Sequence, residues 1–145
     1  MQLILRKGLW SGRGSVLTEG ASLGQSITLD GEVVDELDGL TITGEISGSY
    51  SVPISVRVAP NEVGTYIIDA RLGKVALDGI AKLESEPNHA LLWHEAGIYS
   101  ASVSLFSIGG GLGCRGFFRD AKGALTWEMQ LLSLIHISEP TRLHG

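Results

Sequence analysis

Apolar and polar residues alternate one for one through most of this chain, and no stretch offers a persuasive helical period. From Tyr50 to Val58, Tyr50, Val52, Ile54, Val56 and Val58 fall on one side, with Ser51, Pro53, Ser55 and Arg57 on the other. Successive side chains of a strand point to opposite faces, so such order over nine residues predicts a half-buried strand. Leu40, Ile42, Gly44 and Ile46 repeat the pattern. So do Tyr66, Ile68, Ala70 and Leu72, then Tyr99, Ala101, Val103 and Leu105, and finally Leu125, Trp127, Met129 and Leu131. Further strands are predicted over Leu9–Thr18, Gln25–Val34, Val75–Leu83, His89–His94 and Leu112–Asp120. Leu3–Leu5 fits either a short strand or one helical turn.

Between these runs stand turn residues: Asp38-Gly39, Gly73-Lys74, Gly109-Gly110-Gly111 and Ala121-Lys122-Gly123. An Asp-Gly pair predicts a bulge at Asp30-Gly31, and at Asp78-Gly79 either a bulge, which is favoured, or a turn between two short strands. Pro53, which has no N–H to give, predicts a sheet edge or a local distortion. About ten strands joined by short turns make an all-β antiparallel meander. With one apolar face it exposes its edges unless it closes, so the expected architecture is a β-barrel, with a two-sheet β-sandwich as the alternative.

The first strand carries a further signal. In Gly8-Leu9-Trp10-Ser11-Gly12-Arg13-Gly14, Trp10, Gly12 and Gly14 share a face. One large ring beside two bare positions suggests a plug at the end of a core where backbones approach closely. Gly8-x-Trp10 at this place resembles the G-x-W signature of the calycin barrels: lipocalins, fatty-acid-binding proteins and nitrobindin-like haem barrels. The longer Gly8-x-Trp10-x-Gly12-x-Gly14 is most similar to the nitrobindin-like branch. The resemblance implies a calycin-like barrel in which Trp10 closes one end, packed against an arginine of a late strand, for which Arg115 and Arg119 are the candidates. It departs from the nitrobindin-like pattern in two places. Val16-Leu17-Thr18-Glu19 stands where those proteins have Tyr-Pro-Thr-Ile, and no histidine occurs between Gly97 and Leu131 to match their late haem ligand. A haem ligand would have to be His89 or His94, or to lie in sequence missing after Leu131, so haem is allowed but disfavoured and no other cofactor is implied.

Composition changes the picture in three ways. The 145 residues suffice for one domain with a sizeable core, and the 20 glycines, about twice the usual roughly 7 %, show no collagen period. The net charge of −5, with acidic residues scattered, argues against nucleic acid as a partner. A single cysteine, Cys114, permits no intramolecular disulfide. The opening residues lack the apolar core of a signal peptide, and no apolar run approaches the roughly 20 residues of a bilayer-spanning helix. A cytoplasmic protein without a membrane partner is expected. Leu132 to Arg142 resembles the in-frame translation of a sequencing-library adaptor. The expected domain is therefore 1–131, truncated at its C-terminus, followed by a non-native tail over 132–145 that takes His136 and His144 out of any site.

Candidate chemistry is sparse. His89 and His94, five apart, fall on opposite faces of a strand, and no Cys or carboxylate cluster has metal-ligand spacing. Cys114 reads as a buried inert thiol, Ser100, Ser102 and Ser104 as a solvent-facing row, and Gly109 to Gly113 lacks the G-K-[ST] ending of a phosphate loop. No catalytic residue is assigned, and an enzyme is disfavoured. The leading functional expectation is a small apolar ligand held in the lumen by Tyr50, Ile54, Tyr66, Ile68, Val103 and Trp127. The alternatives are a structural or interaction barrel with a filled core, and a small enzyme at the mouth anchored by Arg115 or His94.

Overall fold

The computed structural model describes residues 3–62 and 64–134. Ten strands follow one another: β1 Gly8–Thr18, β2 Gln25–Glu36, β3 Gly39–Ser47, β4 Ser51–Pro60, β5 Tyr66–Leu72, β6 Val75–Lys82, β7 Asn88–Trp93, β8 Ser100–Ile108, β9 Gly111–Asp120 and β10 Gly123–Ser133. Each pairs antiparallel with its sequence neighbours, and β1 pairs with β10, so the sheet is a closed barrel rather than a sandwich. Among the described residues closure gives every strand a partner on both sides, leaving only the overhanging ends of the longer strands unpaired.

The alternation seen in the sequence becomes inside and outside. Val52, Ile54, Val56 and Val58 point inward from β4, Tyr66, Ile68 and Ala70 from β5, and Trp127, Met129 and Leu131 from β10. Ser100, Ser102 and Ser104 take the outward parity of β8, opposite Ala101 and Val103.

Three local expectations need correction. Register runs unbroken through Asp30-Gly31 and through Asp78-Gly79, so neither pair is a bulge. These glycines answer to crowding instead: Gly31 lies directly opposite Gly44, and a Cβ on Gly44 would run into the Asp30 carbonyl oxygen. Pro53 marks no sheet edge, since β4 is paired on both sides. It sits at the barrel rim before the β5 pairing begins at Ile54, and its carbonyl accepts the Gly73 amide at 2.8 Å. Leu3–Leu5 forms neither strand nor helical turn. It folds as an irregular segment packed on the core.

The two ends of the barrel differ. At the end where β1 begins, Trp10, Val33, Leu40, Val58, Tyr66, Leu112 and Leu131 are all buried, and Leu3, Ile4 and Leu5 cover them. Trp10 is 7 % exposed, and its indole N–H donates to the Arg6 carbonyl at 2.8 Å, tying the N-terminal segment across this end. The late-strand arginines take no part in this closure. Arg115 and Arg119 occupy outward positions of β9: Arg115 pairs with Glu128 at 2.8 Å and lies 5.3 Å from the Phe106 ring centroid, and Arg119 stands at the opposite rim. The polar contact that Trp10 makes at this end is instead the hydrogen bond to the Arg6 carbonyl.

β10 continues two residues past Leu131, with Leu132 opposite Ser11 and Ser133 opposite Trp10, so the barrel takes in the first residues of the adaptor-like segment. His136, Glu139, Arg142 and His144 lie outside the described residues.

Candidate functional site at the open end of the barrel

At the other end the walls are uneven. β5, β6 and β7 have 7, 8 and 6 residues, whereas β1, β2 and β10 have 11, 12 and 11. The longer strands rise past the shorter ones and carry apolar side chains with them. Val16, Ile27, Ile46, Val52, Ile54, Phe118, Leu125 and Trp127 all have inward parity, yet each is only half-buried. A filled core would bury them, as it buries Leu77 and Ala101 on the short-strand side. These partly buried apolar side chains mark the less covered end of the barrel, its cup, opposite the closed one.

Aromatic side chains edge this cup. Tyr99 and Phe118 stack at 5.8 Å between ring centroids, and His94 meets Tyr99 edge-on at 5.4 Å. Trp127 lies over Gly116, where an added Cβ would strike the indole and the Ser102 carbonyl oxygen. Its indole N–H points to the Cys114 sulfur at 3.5 Å. Burial pushes the Cys114 thiol up, and the Trp127 hydrogen bond opposes that only in part, so the thiol stays protonated at neutral pH.

The rim is polar. An open concavity of about 550 Å³ lies between Glu19, Ile98, Arg119, Asp120 and Lys122, and a second of about 240 Å³ reaches the inner wall at Phe118 and Leu125. Glu19 accepts the Ala124 amide at 2.9 Å, and Asp120 accepts those of Lys122 and Gly123 at 2.8 and 3.1 Å. The carboxylates thereby build the β9–β10 turn, and Arg119 and Lys122 face solvent as cations.

The residues expected to hold a ligand are spread over the barrel rather than gathered. Ile54 and Trp127 stand in the cup, and Val103 lies half-buried on the wall of β8. Tyr66 and Ile68 are buried in the closed half, and Tyr50 is 82 % exposed in the turn before β4. Tyr50 fails because the period-two pattern says nothing about where a strand begins. The cup residues not singled out from sequence are Tyr99, Phe118 and Leu125. Their parity was legible, but which end of the barrel stays open depends on strand length, which alternation does not report.

His89 points outward and meets the Ser104 hydroxyl at 3.0 Å, while His94 lies in the turn after β7, its Nδ1 accepting the Ala96 amide at 3.1 Å. His89 thus stands on the outer face, and His94 at the rim beside Tyr99, with its Nδ1 already engaged by the Ala96 amide. No protein-family model matches this chain, and no curated protein matches it either.

Proposed function

We propose that this protein is a binding module that holds a small apolar molecule in the open half of its barrel. The observation that carries the proposal is a difference in burial: Trp10, Val33, Leu40, Val58 and Tyr66 are buried at the closed end, whereas Val16, Ile27, Ile46, Val52 and Leu125 at the other are only partly buried. Exposed apolar surface inside a concavity is what a ligand gains by covering, at about 25 cal/mol per Å². The aromatic edge formed by Tyr99, Phe118 and Trp127 supplies broad, rigid contact surface.

A fluorescent apolar probe tests this. Its emission should rise on mixing, and Trp127→Ala and Ile54→Asp should each weaken binding by about tenfold, the loss of one buried side-chain contact. Native mass spectrometry of freshly purified protein should show a bound species. The competing view is a barrel filled by its own side chains, supported by the tight contacts at Gly79 and Gly116. Absence of both probe binding and a co-purifying species would favour it and end the proposal.

A further inference from the structure

A row of apolar side chains runs across the outer face, perpendicular to the strands. Ile67 on β5 is opposite Ile80 on β6, which is opposite Leu91 on β7, and the row continues through Ser102 to Phe117 on β9. Ile67, Ile80 and Leu91 are 50 %, 50 % and 55 % exposed. Outward strand positions are ordinarily polar where one face meets water, and three bulky aliphatics in direct register form a patch rather than scattered exceptions.

The flanks of this row carry opposite charge. On one side Asp69 and Asp78 stand directly opposite each other, with Arg57 beyond Asp69 and Trp93 beyond Asp78. On the other side Lys82 is opposite His89, followed by Ser104 and by Arg115, which is paired with Glu128. Two aspartates facing each other across a strand pair destabilise an isolated barrel.

We infer that this face binds a second copy of the chain, with a two-fold axis along the apolar row. A rotation about that axis lays each row on its counterpart and carries one flank onto the other. Lys82 of each copy then meets Asp78 of its partner, and His89 meets Trp93. Such an interface is self-complementary, as two-fold association requires, and it relieves the aspartate pair in both copies at once. Among the described residues every strand is paired on both sides, which directs association to a face, and flanks of opposite charge suit a second copy better than an anionic lipid surface. The proposal is independent of the ligand site, since every residue in it points outward.

Sedimentation velocity of the full chain decides the matter. The wild-type protein should pass from monomer to dimer with a dissociation constant on the order of 10 µM, as a small interface would give. Ile80→Thr with Leu91→Thr should raise that constant more than about tenfold while leaving the far-ultraviolet circular dichroism unchanged. Lys82→Glu alone should weaken association about tenfold or more, and so should Asp78→Lys; the two together should restore it. The charge variants carry the test if the threonine variant fails to fold. A protein that stays monomeric throughout, a dimer indifferent to these substitutions, or a double reversal that fails to restore association would each overturn the inference. So would a monomer that floats with phosphatidylcholine–phosphatidylglycerol vesicles, because the row would then serve a bilayer.

Discussion

Tyr66 shows how one buried polar atom registers its surroundings. Its side chain is 3 % exposed in the closed half of the barrel, and its hydroxyl donates to Glu84 at 3.4 Å. Burial, then the negative charge of Glu84 and that hydrogen bond, all favour the neutral phenol and raise its pKa above the ordinary 10.0. Absorbance titration should therefore find Tyr66 ionising above the ordinary phenol value, and Glu84→Gln should bring it down while burial still holds it above that value. The stability that Tyr66 contributes through this shift is fully present below the unfolded pKa and is lost as pH rises through the folded one. Tyr66→Phe should flatten the decline of the denaturation midpoint on the alkaline side; an unchanged slope would mean that other groups set it. Trp10 is a second residue whose polar atom matters. Trp10→Phe should cost about 1 kcal/mol through the Arg6 carbonyl it abandons, and Trp10→Ala about 3–5 kcal/mol through the cavity it leaves. Arg115→Gln breaks an ion pair whose side chains are 64 % and 70 % exposed, so chemical denaturation should detect at most about 1 kcal/mol.

Strands were the most legible level, because a barrel wall buries one face of every strand and the period of two is written directly into residues such as Val52, Ile54, Val56 and Val58. What alternation does not encode is distance between neighbouring backbones. Asp-Gly at 30–31 and at 78–79 looked like bulge chemistry, yet both glycines lie in continuous ladders and are small because something presses on them: the Thr43 carbonyl near Gly31, and Leu92 with the Leu91 carbonyl over Gly79. The same blindness hid the cup, since Phe118 and Leu125 are inward by parity but only partly buried at the end where β5 to β7 stop short. Nor could the sequence show that Trp10 would find a backbone carbonyl rather than Arg115 or Arg119. Crowding at the element scale is testable at Gly116, which is pinned between the Trp127 indole and the Ser102 carbonyl. Gly116→Val should destabilise the barrel by about 1–3 kcal/mol or more, through overpacking against backbone that cannot yield, and should shift Trp127 emission. Ser102→Val, on the neighbouring strand but at an outward position, should leave both nearly unchanged.

The whole molecule depends on a seam between its first strand and its last. β1 and β10 pair from Trp10 opposite Ser133 to Thr18 opposite Leu125, so the barrel closes only when residues more than a hundred positions apart meet. Contacts of that separation form late and require most of the chain to be in place, which predicts one cooperative unfolding transition. The seam ends beside the plug: Ser133 lies opposite Trp10, and the Leu134 amide donates to the Leu9 carbonyl at 2.9 Å. Ending the chain after Leu131 would remove that hydrogen bond and the last two paired positions while leaving the buried Leu131 itself in place. The shortened protein should still unfold in one transition but with stability lowered by about 1–3 kcal/mol, the sum of two or three backbone hydrogen bonds. Iodide should then quench Trp10 more readily, because the strand beside the indole would end short of it. If the midpoint and the quenching both stayed where they were, residues 132–134 would hold nothing, and the closure of this end would rest on Leu3, Ile4 and Leu5 alone.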